Sequence, residues 1–415
     1  MAIIGAGPAG LALALQAARA LPEARITVFD ARPPELDLKQ DPRTLALSLG
    51  SVQELERMGV WPAVQASGQV EPIRAVHVSQ QQPTVLWRGR EQPHVLISAK
   101  EQGQAQLGSV VNYGALVAPL HAAWQSAVEQ APHRLGYRMN TRVRELKPLV
   151  SGRVEVDADI AETHDLAVVA EGGVFSDQPG LNWPKGLSHD YDQTAWVGQV
   201  RLQDVAEAYE GIAYERFTPA GPAALLPLTR GQVREKSPAG RRAALVWCVQ
   251  RNDDPVRDLT PAQRLVVLNS IFHESVGRIE EVSELKCFPL GLNAHRRLVS
   301  DGAVVRIGNA AQTLHPVAGQ GLNLGLRDMH ELLAALVHTP HTADHATYLR
   351  TALQRFERKR QPDRWALIAG TDFLARSFTW PAPILATARG LGLGAMQTLG
   401  PVKRRLARTM MFGLR

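Results

Sequence analysis

Cysteine is nearly absent from this chain: its 415 residues hold two, Cys248 and Cys287, at a separation that matches no metal-binding spacing. Two such residues in so long a chain are most simply free thiols, which argues against a disulfide framework and makes a reducing compartment, the cytoplasm, the default expectation. Long apolar runs are missing as well, and none reaches the roughly 20 residues that a spanning helix requires. No dense basic run with interleaved aromatics occurs before the C-terminus, so nucleic acid is not an expected partner. The apolar opening, Met1 to Ala20, lacks a basic start and carries Gly5, Gly7, Pro8 and Gly10 inside its would-be apolar core. It therefore reads as a strand, a turn and a helix rather than a signal peptide. There is no internal repeat and no second G-x-G-x-x-G, because Gly390, Gly392 and Gly394 have the wrong spacing.

What is present suffices for a large core. With 45% hydrophobic and 21% charged residues, the chain is expected to form two domains or one elaborate one. The formal charge of +6 and pI near 9.5 suit an anionic cofactor or acidic lipid head groups. Ala2-Ile3-Ile4 predicts the end of a strand and Leu11 to Ala18 a helix, with Gly5-Ala6-Gly7-Pro8-Ala9-Gly10 between them. A second strand, Arg25 to Phe29, ends in Asp30, twenty residues after Gly10. In this context the glycines permit a tight turn and close approach of a pyrophosphate to a helix N-terminus, and Asp30 is placed to accept from an adenosine ribose. The motif does not distinguish FAD from NAD. Arg43, ahead of the helical pattern Val52 to Gly59, is a candidate pyrophosphate partner or simply an exposed arginine.

Further along, Ala75 to Val78 and Thr84 to Trp87 predict a hairpin outside the nucleotide fold, and Leu116 to Val128 a helix. Leu166 to Ala170 is a continuous apolar run of the kind found in buried parallel strands. From Thr194 to about Phe288 strands dominate, at 195–200, 213–217, 223–228 and 243–248, broken by one helix over Pro261–His273. The expected architecture is α/β. A discontinuous nucleotide domain takes residues 1–73, 97–190 and 289–340, an inserted antiparallel-sheet substrate domain 74–96 and 191–288, and a C-terminal helical region 341–415.

Gly308 to Asp328 is a second Gly-rich turn, set between a strand pattern, Ala303 to Ile307, and a helix pattern, Met329 to Leu336. Bare backbone around Gln320 and Asn323 at a helix N-terminus suits the N1–C2=O2 edge of a reduced flavin. Local composition alone fits an ordinary strand–turn–helix connection equally well.

Taken together, Gly5-x-Gly7-x-x-Gly10 and His315-Pro316-Val317-Ala318-Gly319-Gln320-Gly321-Leu322-Asn323-Leu324-Gly325 resemble the flavin-dependent aromatic hydroxylases of ubiquinone biosynthesis, the UbiH/UbiF/UbiI family. Asp41-x-Arg43-x-x-Ala46-Leu47-Ser48, Tyr214-Glu215-Arg216-Phe217-Thr218 with Gly221-Pro222, and Leu245-Val246-Trp247 also fit. The form Gly308-Asn309-Ala310-Ala311-Gln312-Thr313-Leu314-His315-Pro316, followed by Arg327-Asp328, is most similar to the UbiH branch, the 2-octaprenyl-6-methoxyphenol hydroxylases.

The resemblance implies a Rossmann-like FAD-binding domain of the class A flavoprotein monooxygenase type. Gly5, Gly7 and Gly10 would cradle the FAD pyrophosphate and Asp30 the ribose, with Arg43 along the pyrophosphate or flavin. Gly319, Gln320, Gly321, Leu322 and Asn323 would present backbone to the isoalloxazine, with Pro316 on the active-site face. It further implies reduction of FAD by NAD(P)H, reaction with molecular oxygen to a C4a-hydroperoxide, and hydroxylation of a polyprenyl phenol, 2-polyprenyl-6-methoxyphenol. His315, Tyr214 and Arg216 are candidates by position for deprotonating that phenol; His315 reads alternatively as a residue ordering the loop through backbone hydrogen bonds.

Two positions depart from the family pattern: Glu171-Gly172 where many members have Asp-Gly, and Gly308-Asn309 where they have Gly-Asp. As a neutral acceptor toward ribityl hydroxyls, Asn309 would weaken FAD binding by about 1 kcal/mol. The alternatives are a catalytically degenerate flavoprotein scaffold among other ubiquinone-biosynthesis proteins, another flavin-dependent aromatic hydroxylase, and an NAD-dependent dehydrogenase, which leaves Gly308–Asp328 unexplained. Finally, Pro401 to Met411 predicts a helix with Val402, Leu406 and Met410 on one face and Lys403, Arg404, Arg405 and Arg408 on others. Such a helix suits peripheral contact at the inner membrane face, or packing on the protein's own core.

Overall fold

The structure is a computed structural model, and its description covers residues 1–38, 41, 43–84, 92–172, 186–203, 210–230, 240–273, 276–340, 342, 344–379 and 383–414. Pro42, Val85-Leu86-Trp87 of the expected hairpin and residues 173–176 lie outside them.

In chain order, the elements that position the site begin with β1 (Ala2–Ile4), α1 (Pro8–Ala20), β2 (Ile26–Phe29), β3 (Thr44–Ser48) and α2 (Leu49–Arg57). Next come β4 (Ala75–Gln80), β5 (His94–Ser98), α3 (Tyr113–Gln130), β6 (Leu135–Arg138) and β7 (Ala167–Val169). The long strands β8 (Leu187–Leu202), β9 (Ile212–Thr218), β10 (Gly221–Leu228) and β11 (Arg241–Gln250) follow, then α4 (Pro261–Ile271) and β12 (Lys286–Ala294). The chain closes with β13 (Val299–Ser300), β14 (Val304–Arg306), α5 (Gly321–His338), α6 (His345–Ser377), α7 (Pro383–Thr398) and α8 (Gly400–Phe412).

The first sheet has the order β13-β14-β7-β1-β2-β6. Its centre is parallel, with Ile3 beside Val168 and Val168 beside Val305. Those residues are completely buried, because helices cover parallel strands and leave no face for polar side chains. On one side, α1, α3 and α5 build a core around Leu11, Leu13, Leu116, Trp124, Leu326 and Met329.

The second sheet runs β12-β8-β11-β10-β9-β4-β5. It departs from the sequence expectation in two ways. It extends from Leu187 to Ala294, past the expected 191–288, and takes in Gln312 and Thr313, which pair with Ala294 and Asn293. It is also mixed, since β9 lies parallel to β4. These two strands are far apart in the chain and joined by no hairpin, so nothing forces them antiparallel. The Gln312–Thr313 pairing has a functional consequence: it stitches the His315 loop to the edge of this sheet.

The helix α6 continues unbroken through Pro362. A proline inside a helix costs about 3 kcal/mol. Here the turn around it is held by buried side chains: Arg360 pairs with Asp328 at 2.8 Å and Asp363 at 2.7 Å, and Arg364 donates to Gln312 Oε1 at 2.6 Å. Among the described residues no helix is long and apolar enough to cross a membrane.

Candidate active site

The N-terminal half of the site is a backbone cradle. Gly5 adopts φ +104°, and a β-carbon on Gly10 would stand 2.0 Å from the Gly5 carbonyl oxygen, so both positions require glycine. Gly7 differs: a β-carbon there would meet nothing within 4 Å, since it would project into open space ahead of α1. Gly7 caps that helix without any side-chain hydrogen bond, which leaves first-turn N–H groups facing outward.

At the edge of the cradle Asp30 is buried and heavily engaged. One carboxylate oxygen accepts from the Ala6 N–H at 2.6 Å, and the other from the backbone and Nε of Arg32, each at 2.8 Å. Burial raises its pKa, but the Arg32 and Ala6 hydrogen bonds outweigh that and hold it below the ordinary carboxylate value. Arg32 also donates to the Ala6 carbonyl, so it closes the cradle from outside. The sequence reading missed Arg32; the signal was a cation two residues beyond the strand-terminal acid. Arg43 pairs with Asp41 at 2.7 Å and lies over the Tyr113 ring at 4.0 Å, with its side chain well exposed.

The C-terminal half is pinned from beneath. Gly308, at φ +59°, donates its N–H to Asp328 at 3.0 Å, and Gln312 Nε2 donates to both Gly308 O and Asp328. Beyond His315 and half-buried Pro316, the turn Val317–Gly319 leads to Gln320, which starts α5 with no side-chain cap. Gly321 and Leu322 are half-buried at this open helix start. Gly319 has φ +57°, and a β-carbon on it would press on Ala46 at 3.0 Å.

Asn323 is 1% exposed. Its Oδ1 accepts from Ser48 N–H and Ser51 Oγ, and its Nδ2 donates to Ala46 O and Gly319 O. Its side chain therefore fastens the loop to β3 and α2, a role beyond the backbone contact inferred from sequence. Asn309 is exposed, its Oδ1 3.7 Å from where a Gly321 β-carbon would be. The two halves touch: a β-carbon on Gly325 would lie 3.0 Å from Gly308 Cα and 3.5 Å from Ala9 Cβ.

His315 is 2% exposed. Its Nδ1 accepts from the Val317 N–H at 3.3 Å, which leaves the proton on Nε2 to be donated to Gln193 Oε1 at 3.1 Å. Burial lowers its pKa to about 4, so the ring is neutral. Both nitrogens are committed, and this geometry matches the loop-ordering role.

The other two positional candidates face away from the loop. Tyr214 is buried in the core built on α4, and Arg216 donates to Ile271 O and Ser79 Oγ on that same side of the sheet. Alternation along β9 turns Glu215 and Phe217 to the opposite face, where Phe217 packs with Val317 of the loop and stacks on Phe378 at 3.9 Å. Cys248 shares this face; burial first, then the nearby Glu215 charge, pushes its thiol pKa up. Glu215, missed in the sequence reading, is thus a carboxylate on the sheet face that looks toward the loop.

Residues 200–371 match the model of an FAD binding domain. Ubiquinone hydroxylase UbiL of Rhodospirillum rubrum is 30% identical over 419 residues, covering 99% of this chain and 88% of that protein. The chain belongs to the ubiquinone-biosynthesis hydroxylases. Another member, 3-demethoxyubiquinol 3-hydroxylase of Escherichia coli, is 29% identical over 426 residues and covers 97% and 96% of the two chains. Among solved structures, Klebsiella pneumoniae HpxO complexed with FAD and uric acid shares the fold at TM-score 0.71 and 16% identity, over 99% of this chain and 96% of that one.

As a member of this family of flavoprotein monooxygenases, the protein is an FAD-dependent hydroxylase, and NAD(P)H and dioxygen are the co-reactants typical of its class. The residues present fit FAD: an open cradle at Gly7, two uncapped helix starts, and a loop of bare backbone fastened to β3 and α2 through Asn323 and to the large sheet through Gln312–Thr313 and His315.

Proposed function

We propose that this hydroxylase acts on the aromatic ring of a polyprenyl phenol of the 2-polyprenyl-6-methoxyphenol type, seated between the His315–Asn323 loop and the face of the large sheet that carries Glu215. The observation that carries the proposal is the composition of that wall. Glu215 lies on the same sheet face as Phe217, which packs with apolar Val317 and Phe378, and a carboxylate on an apolar face suits a ligand with one acidic hydroxyl and an apolar body. The relatives named for ubiquinone hydroxylation support the same substrate class.

Bound FAD, once reduced by NAD(P)H, supplies oxygen activation for transfer to the ring. The chain's own residues do the rest. Gly5, Gly7 and Gly10 admit the pyrophosphate, with Asp30 beside the ribose and Arg43 at the approach. Backbone from Gly319 to Asn323 would orient the ring system, and Asn309 would accept from the ribityl hydroxyls as a neutral partner. Glu215 accepts the phenol proton, which raises electron density on the ring. His315 keeps the loop in place through Val317 and Gln193, and the stacked Phe217 and Phe378 exclude water.

The test is anaerobic reduction of the bound flavin by NADPH, followed by oxygen and a short-chain prenyl phenol, with products identified by mass. A product heavier by one oxygen supports the proposal. Peroxide without hydroxylated product overturns the substrate class, and protein that purifies without flavin removes the proposal altogether.

A further inference from the structure

The last two helices, α7 and α8, present outward residues that the FAD site does not explain. On α7 the outward positions include Ile384, Leu385, Ala388, Leu391 and Ala395, and none of its outward positions carries a charge. Ile384 is 83% exposed. The one charged residue of α7, Arg389, turns inward and donates to Ser377 O and Gln82 Oε1. Helix α8 follows after Leu399 and adds outward apolar and basic residues of its own. Lys403, Ala407 and Met411 form its buried side, with Lys403 bonded to Glu101 at 2.9 Å. Val402 and Leu406 are left outward, beside exposed Arg404, Arg405 and Arg408. A surface helix ordinarily turns its polar face to water, and a contiguous outward apolar face marks an interaction site.

Charge selects the partner. After Asp372 the sequence contains no Asp or Glu and seven Lys or Arg, so residues 1–372 carry net −1 and the whole positive balance of the chain lies in this tail. Two copies meeting through this face would bring like charges together, which opposes a symmetric dimer. An anionic bilayer offers both what the apolar residues need and what the arginines need.

We propose that the outward residues of α7 and α8 dock on an anionic lipid surface, with Ile384, Leu391, Val402 and Leu406 entering the head-group boundary and Arg404, Arg405 and Arg408 meeting lipid phosphates. The inference does not depend on the substrate assignment. It does give that assignment a route, because Phe378, at the end of α6 ahead of α7, stacks on Phe217 beside the proposed substrate seat.

The experiment is flotation of the full-length, flavin-loaded protein with vesicles of equal parts phosphatidylglycerol and phosphatidylcholine, against vesicles of phosphatidylcholine alone. The protein is expected to float with the anionic vesicles and to be released by salt. Each positive charge removed should weaken binding roughly fivefold, so Arg404→Gln with Arg405→Gln should lose about 25-fold. Ile384→Glu with Leu391→Glu should abolish flotation. Retained flavin absorbance in both variants reports an intact fold, and turnover of a water-soluble phenol, measured separately, reports on the substrate proposal alone. Absence of flotation with anionic vesicles, or flotation unchanged in both variants, overturns the inference. A dimer in sedimentation velocity that Ile384→Glu with Leu391→Glu dissociates, without vesicle binding, assigns the face to a second copy and overturns it equally.

Discussion

Oδ1 of Asn323 accepts the backbone N–H of Ser48 at 2.8 Å, joining residues 275 positions apart. With its three companion bonds, this one amide holds the flavin-facing loop against the strand that leads from Arg43. Asn323→Leu, of similar volume, would strand the buried N–H of Ser48 and the carbonyls of Ala46 and Gly319. The expected loss is about 2–4 kcal/mol of stability, together with weaker FAD retention. Urea denaturation with and without added FAD measures both; an unchanged midpoint would show the pin to be dispensable.

Gly7 and Gly10 should separate folding from cofactor binding. Gly10→Ala places a methyl 2.0 Å from Gly5 O, so the variant is expected to misfold locally and lower the melting temperature of the apoprotein. Gly7→Ala meets no protein atom within 4 Å and should leave the apoprotein melting temperature unchanged. It should nevertheless weaken FAD by at least about tenfold, or 1.4 kcal/mol, because the methyl takes space the pyrophosphate needs. Fluorescence titration of apoprotein with FAD distinguishes the two.

His315 contributes to stability as a neutral ring. Its folded pKa of about 4 lies below the ordinary 6.5, so its contribution is complete above pH 6.5 and is lost as pH falls toward 4. The loss reaches up to roughly 3 kcal/mol by pH 4. His315→Gln can still donate to Gln193 yet does not titrate, so its stability should fall less steeply over that window. Denaturation midpoints between pH 7 and pH 4 test this, and parallel curves for both proteins would refute it.

Glu215→Gln should lower kcat/KM for a prenyl phenol by about a hundredfold or more if the carboxylate accepts the phenol proton. The deficit should shrink as pH approaches 10, where a phenol ionises unaided. A purely structural role would give a loss that does not vary with pH.

Thiol chemistry gives a simpler check. Cys287 is exposed, whereas Cys248 is buried with its pKa pushed up. A disulfide reagent should modify one thiol per native chain and two only after denaturation.

Much of this arrangement was legible in the sequence because the signals were local. Ala2-Ile3-Ile4 is the first strand residue for residue, and the apolar run at 166–170 is the buried parallel strand between β1 and β14. What escaped needed three dimensions. Alternation places Tyr214 and Arg216 opposite Glu215, but which face meets the loop depends on how Val317 packs on Phe217. Residues 289–294 looked like the return to the nucleotide domain, yet they pair with β8 and carry Gln312–Thr313 into the sheet. The passage of α6 through Pro362 likewise rests on Asp328 and Gln312, more than thirty residues away.

The parallel pairing of β1 with β7 and of β7 with β14 also sets a clock. The glycine turn is made within the first ten residues, but the strand and loop that complete its cofactor site emerge only after residue 304. At 5–20 residues per second the turn waits roughly 15–60 s on the ribosome. A nascent chain therefore has nothing with which to enclose FAD until the last quarter of synthesis, and chains cut short before that point do not sequester the cofactor.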